Sequence, residues 1–169
     1  TDRNNATDGD LLIAWALMRA GKRWGDADLQ REARRISDAI IARTAIDTAH
    51  GLVMLPGVQG FGAKDQADGP VVNMAYWIFP AIVDLGRLSN RFPSAALMES
   101  GVRLLRQARF GPARLPADWV SLSDETPRPA SGYPSQFGYD AIRIPLYLAW
   151  YSRDYPDILE VFSAHWKQF

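Results

Sequence analysis

Ala6-Thr7-Asp8-Gly9-Asp10-Leu11-Leu12-Ile13-Ala14-Trp15-Ala16-Leu17-Met18-Arg19-Ala20-Gly21 decides how the rest of the chain is read. Thr7 carries an N-cap side chain, and Asp10 stands three residues on. This is an acidic form of the capping box, so a helix is expected to begin at Asp8. From Leu11 to Met18 every residue is apolar. A helix apolar on all faces is one buried on all sides. Gly21 is expected to end it. The next segment, from Asp28 to Thr44, is different in kind. Arg31, Glu32, Arg34, Arg35 and Asp38 interleave with Ala33, Ile36, Ile40 and Ile41, as on an amphipathic helix at the outside of a domain.

The alternation continues along the chain. A third helix is expected from Met74 to Leu88, apolar through Tyr76, Trp77, Ile78, Phe79, Ile82 and Val83, with Pro80 implying a late start or a kink. A fourth, from Pro93 to Ala108, is amphipathic with Pro in its first turn. A fifth, from Tyr139 to Ser152, is apolar on most sides, and a sixth, from Pro156 to Lys167, is amphipathic. Long connections occupy residues 45–72 and 109–138, the first with a short strand and turn expected between Gly51 and Gly57. Buried and amphipathic helices thus alternate with a period of about 65 residues, too long and irregular for an α-solenoid. The expected fold is all-α: αα-hairpins wrapped into a ring, with long loops gathered at one end. Three hairpins leave the inner helices without cover on their outer flanks. Residues 1–169 are therefore expected to be the central fragment of one domain, about half of a closed α/α barrel.

Composition narrows the function. Lys plus Arg and Asp plus Glu balance at 19 each, so there is no positive field for nucleic acid or an anionic membrane surface. No apolar run approaches the roughly 18 residues of a membrane span. Without cysteine, thiolate metal sites and Cys nucleophiles are excluded. His50 and His165 lack metal-ligand spacing. The glycines from Gly57 to Gly62 fit neither a P-loop nor a dinucleotide fingerprint. No G-x-S-x-G elbow occurs. Thr1-Asp2-Arg3-Asn4-Asn5 reads as neither signal peptide nor cap. The six Trp, six Tyr and seven Phe suit a cleft in which pyranose faces stack on flat rings, or a core that simply uses aromatics.

Polar residues at the starts of apolar helices are the candidates for chemistry: Asp8 and Asp10 on the first, Asn73 and Tyr76 on the third, Asp140 and Arg143 on the fifth. Each start follows a long loop or the chain's beginning, so all are expected at one end. Burying such groups is costly unless they are paired or used. Asp140 and Arg143 share a helical face, and both Arg143 and the positive helix end favour negative charge at Asp140. That suits a general base acting on water; a structural ion pair is the alternative. Asp10 has the spacing of a cap, which leaves Asp8 the freer carboxylate. Tyr76 and Trp77 fit core packing as well as a site. Trp119, in Pro116-Ala117-Asp118-Trp119-Val120, is either a sugar platform or a lid packed on the barrel.

The stretch from Ala6 to Trp24, A-T-D-G-D followed by I-A, a small residue, A and a late Trp, resembles the signature of glycoside hydrolase family 8. Asn73-Met74-Ala75-Tyr76, Ala117-Asp118-Trp119 and Tyr139-Asp140-Ala141-Ile142-Arg143 resemble further segments of that family in the same order. The likeness is to the bacterial endoglucanases that accompany cellulose synthase. It implies an α/α barrel of six hairpins and endo-acting hydrolysis of a β-1,4-glucan with inversion, in a periplasmic or secreted enzyme needing no cofactor. By the same resemblance Asp140 is the general base and Asp8 the carboxylate that binds and distorts the sugar. Tyr76 helps to hold the attacking water, Tyr139 and Arg143 support the base, and Trp119 lies in a substrate-binding loop. The family's general acid is a Glu preceding the signature. Glu32, Glu99, Glu125 and Glu160 all follow it, so the acid is expected from sequence upstream and the closing hairpins from sequence after Phe169. Met74-Ala75 stands where the family has Pro-Ser. Another α/α-barrel enzyme, such as a xylanase, chitosanase or polysaccharide lyase, and a non-catalytic glycan-binding fragment are the competing readings.

Overall fold

In the computed structural model, which describes residues 4–168, helix α1 spans Thr7–Trp24. Thr1, Asp2 and Arg3 of the N-terminal reading, and Phe169, lie outside the described residues. The expected capping box does not form. Ala6 is the N-cap residue, with no side-chain cap bond. The Thr7 hydroxyl instead donates to the Leu55 carbonyl at 2.7 Å, and the Thr7 N–H to Pro56 at 2.9 Å. Asp10 accepts from the Asn5 amide at 2.8 Å. A fully buried hydroxyl needs a partner, and here the partner comes from a distant loop, which ties the start of α1 to residues 55–59. Gly21 does not end the helix either. It is where α2 and its cap come close, since a Cβ there would lie 2.7 Å from Gln30 Cγ and 2.8 Å from the Asp26 carbonyl. Gly25, with φ 69°, makes the left-handed C-cap one turn later.

Helix α2 (Ala27–Thr44) is capped by Asp26, whose carboxylate accepts from the N–H groups of Asp28 and Leu29. It runs into a hairpin, β1 (Ala45–Thr48) with β2 (Gly51–Met54), paired antiparallel from Ala45↔Met54 to Thr48↔Gly51. Strands β3 (Val71–Val72), β4 (Val120–Ser121) and β5 (Arg128–Pro129) form a second antiparallel sheet. This sheet stitches the two long connections together, and periodicity could not have revealed strands of two residues. Helices α3 (Phe79–Leu88) and α5 (Ile144–Tyr151) share a design. Each is preceded by a 3-10 turn (Met74–Tyr76 and Ala141–Arg143), and each has Pro in its first turn. Pro80 thus marks a late start. Helices α4 (Ser94–Gln107) and α6 (Pro156–Trp166) complete the hairpins.

Helices α1, α3 and α5 pack side by side, while α2, α4 and α6 each cover their hairpin partner. The core between the layers is built on Leu11, Trp77, Phe79, Ile82, Leu104 and Leu148, all fully buried. Trp77 donates its indole N–H to the Leu97 carbonyl at 2.9 Å. Burial on all sides holds for neither α1 nor α5. Leu12 and Ile13 are 40% and 53% exposed, and Leu146 and Trp150 are 60% and 56% exposed. The two helices at the flanks of the inner row each bury one side against α3 and leave the other open.

Candidate active site

The sites of interest gather where α1, the 3-10 turn 74–76 and the 3-10 turn 141–143 begin, at the end of the helical layers from which the long connections emerge. Arg143 is the centre of the cluster. Its Nη1 lies 3.1 Å from Asp8 Oδ2 and its Nη2 2.7 Å from Asp140 Oδ1. One guanidinium thus bridges two carboxylates separated by most of the chain. Asp140 Oδ2 accepts from Asn73 Nδ2 at 2.9 Å. Asn73 is completely buried, and its Oδ1 accepts from the Ala75 N–H, so its orientation is set on both sides. Each carboxylate oxygen of Asp140 retains acceptor capacity after these bonds. The side chains of Asp8, Asp140 and Arg143 are 16%, 23% and 29% exposed, so the cluster is open to solvent on one side.

Tyr76 faces the same group, with the Arg143 guanidinium 5.9 Å from its ring centre. Burial, and next the negative charges of Asp8 and then Asp140, push the Tyr76 phenol above its ordinary pKa, against the opposing pull of Arg143. It therefore stays a hydrogen-bond donor at neutral pH. Burial works against the charge of Arg143, but the hydrogen bond to Asp8 and the charges of Asp140 and Asp8 outweigh it and hold the guanidinium pKa above its usual value. Tyr139 is 88% exposed, beside the cluster and outside the core. Trp119 is a neighbour at one remove. Its ring stacks on Tyr133 at 4.7 Å and on Phe61 at 5.6 Å, and meets Tyr76 edge-on at 6.4 Å. The structure thus brings Asp8, Asp140, Arg143 and Tyr76 together and sets Trp119 in an aromatic group behind Tyr76. Asp10 is turned aside to Asn5.

In the sequence Asn73 and Asp118 stand in segments singled out as candidates, without a role of their own, and Phe61 and Tyr133 are singled out for nothing. Asn73 had a signal, being a polar residue at the start of an apolar helix. Asp118 had one too, in the segment Ala117-Asp118-Trp119, while Phe61 and Tyr133 had none. Glu32 and Glu99 pair with Arg35 and Arg103 on α2 and α4, and Glu125 and Glu160 are exposed. Among the described residues none of the four is bonded to the cluster. Among the same residues no group of three or more His, Asp or Glu side chains is placed to hold a metal. His50 is bonded to the Asp124 carbonyl at 2.8 Å.

The family model for glycosyl hydrolases family 8 matches residues 1–167. A probable endoglucanase of Novacetimonas hansenii is 39% identical over 170 residues, spanning 99% of this chain and 49% of the relative. An endoglucanase of Cellulomonas uda is 41% identical over 150 residues, spanning 88% of this chain and 41% of the relative. Among solved structures, the endo-beta-1,4-glucanase CMCax from Acetobacter xylinum superposes with a TM-score of 0.92 at 38% identity, covering 99% of this chain and 52% of that one. The family 8 endoglucanase Cel10 from Klebsiella pneumoniae does so with a TM-score of 0.91 at 37% identity, covering 100% and 54%. The chain spans about half the length of these proteins.

Proposed function

The chain belongs to glycosyl hydrolases family 8, and on that premise we propose that it supplies the base-bearing half of an endo-acting enzyme that hydrolyses β-1,4-glucan with inversion. The observation that carries the reading is the bridge Asp8–Arg143–Asp140 beside Tyr76. Inversion needs a carboxylate that takes a proton from water on one face of the sugar and an acid that protonates the leaving oxygen on the other, with the two about 6.5–9.5 Å apart. Asp140 is the base. Its bonds to Arg143 and Asn73 fix both oxygens, and the remaining lone pairs accept the proton of water. The Tyr76 phenol donates to the same water and orients it. Asp8 places negative charge where the anomeric centre becomes positive. Tyr139, standing free of the core, stacks on the sugar, and the Trp119 group braces Tyr76.

The acid comes from a segment upstream, in keeping with the placement of the four glutamates away from the cluster. Further hairpins of a six-hairpin α/α barrel cover the open flanks of α1 and α5. Residues 1–169 are then a central fragment of one catalytic domain. β-1,4-Glucan is favoured over xylan because relatives and structures above 30% identity are named as endoglucanases. An insoluble polymer of this kind is met outside the cytoplasm, in the periplasm or beyond the cell. No described helix is long and apolar enough to cross a membrane. In the catalytic domain containing this segment, Asp140→Asn is expected to abolish turnover and preserve binding of cello-oligosaccharides, measured by reducing-sugar release and calorimetry. Retained turnover removes Asp140 from the base role.

A further inference from the structure

We propose that Asp118 is the positioning residue of the base: it clamps the turn on which Asp140 stands, and so fixes where the Asp140 carboxylate faces water. The proposal rests on the assignment of Asp140 as base. Asp140 occupies the N-cap position of the 3-10 turn Ala141–Arg143, yet its side chain makes no cap bond. An aspartate there ordinarily turns its carboxylate back onto the N–H groups of the second and third residues of the helix; here those of Ile142 and Arg143 go to the backbone carbonyls of Gly138 and Asp140, both at 3.1 Å. The N–H of the first residue, Ala141, is taken by Asp118, from a loop outside the turn. Its Oδ1 accepts from Ala141 N at 2.8 Å and from Gly138 N at 3.0 Å, which places it on both sides of Tyr139-Asp140 in sequence. Its own N–H donates to the Gln136 carbonyl at 2.9 Å. Segment 136–141 is thus pinned to one residue at three points.

The clamp leaves no slack. A Cβ on Gly138 would lie 2.5 Å from Asp118 Oδ2, so only glycine lets the two segments close this far. Asp118 is itself held, since Trp119 is packed by Phe61 and Tyr133, and Val120 is paired in β4 between Val72 and Pro129. Strand β3 ends at Val72, one residue before Asn73, the other bond donor to Asp140. The small sheet therefore sets both the turn under the base and the amide beside it. With Asp118 gone, the N–H groups of Ala141 and Gly138 are left without their acceptor, and the turn that carries Asp140 is free to shift.

The test is kinetic, on the catalytic domain containing this segment. Asp118→Ala is expected to lower kcat by about 10- to 100-fold with KM within about 2-fold, the cost of a misplaced reacting group. Asp118→Asn keeps an acceptor oxygen and is expected to restore most of the rate. Gly138→Ala pushes the carboxylate aside without removing it, and is expected to reproduce the loss; it makes the test where Asp118→Ala does not fold. In an Asp140→Asn background, which keeps binding, Asp118→Ala is expected to leave cello-oligosaccharide affinity unchanged. Wild-type kcat in Asp118→Ala or Gly138→Ala overturns the proposal and leaves the base assignment standing. A loss of cello-oligosaccharide affinity in the Asp140→Asn background overturns it too, because Asp118 would then act elsewhere. Turnover retained by Asp140→Asn alone fails the base reading itself.

Discussion

Arg143 holds two carboxylates with one guanidinium, so the cluster carries one negative charge in excess when both are ionised. Its removal leaves Asp8 and Asp140 facing each other unneutralised. Breaking a buried pair costs about 3–5 kcal/mol, and with this much solvent contact about 2 kcal/mol is expected for Arg143→Ala, read from urea unfolding. Arg143→Lys is expected to resemble Arg143→Ala in rate more than wild type, because an ammonium cannot reach both carboxylates as a planar fork does. Tyr76 reports the same field. Burial, then Asp8 and Asp140, raise its pKa, and Arg143 opposes them. Its ionisation is therefore expected to begin at lower pH in Asp8→Asn and Asp140→Asn, and at higher pH in Arg143→Ala. Ultraviolet difference titration, with Tyr76→Phe as the blank, reads the sign directly.

At the scale of the element, two helical glycines make opposite predictions. Gly101 sits in α4 against Trp77, and a Cβ would lie 2.5 Å from the indole Cδ1. Gly→Ala gains about 1 kcal/mol of helix propensity, but overpacking a rigid core costs about 1–3 kcal/mol, so Gly101→Ala is expected to destabilise. Gly9 in α1 has nothing within 4 Å of the same position, so Gly9→Ala is expected to leave stability unchanged or improve it. Urea midpoints of the two variants decide between them. The α4–α6 contact carries its own pH dependence. Arg106 bonds Asp157 at 2.7 Å, and this bond holds the Asp157 pKa below its ordinary value. A carboxyl depressed by folding stabilises the fold above its unfolded pKa of about 3.9, and that share is lost as pH falls through the folded value. Acid unfolding of Asp157→Asn is expected to lack this component, and salt is expected to weaken it in the wild type, since the pair is on the surface.

For the whole molecule, the inner row ends in two open apolar flanks: Leu12 and Ile13 on α1, Leu146 and Trp150 on α5. Contiguous apolar surface of this kind is a place where something docks. If further hairpins of the same barrel cover it, the 169-residue chain by itself is expected to bind a hydrophobic dye, to self-associate and to release no reducing sugar from cellulose derivatives. A polypeptide extended at both ends is expected to lose the first two properties and gain the third. Dye fluorescence, sedimentation and activity on the two samples test this together. Turnover by the short chain would mean that an acid is present within it after all.

Helix order was legible because it is written locally. The mixed-charge faces of α2, α4 and α6 and the apolar runs of α1, α3 and α5 need no partner to be recognised. Asp8, Asp140 and Arg143 were legible for a related reason: charge at the head of an apolar helix is an anomaly in one dimension. Where reading failed, a distant group had outcompeted a local one. Thr7 gave up its cap for the Leu55 carbonyl, Gly21 served a helix contact in place of a helix end, and Asp118 reached across the fold to hold the turn that carries Asp140. The sequence alone determined which segments are helices, which of them are inner, and which residues bring charge to the heads of the inner helices. Tertiary structure alone decided which carboxylate meets which donor. Hydrogen bonds are satisfied by whatever lies within about 3 Å, and in this chain those neighbours come from loops that pattern does not describe.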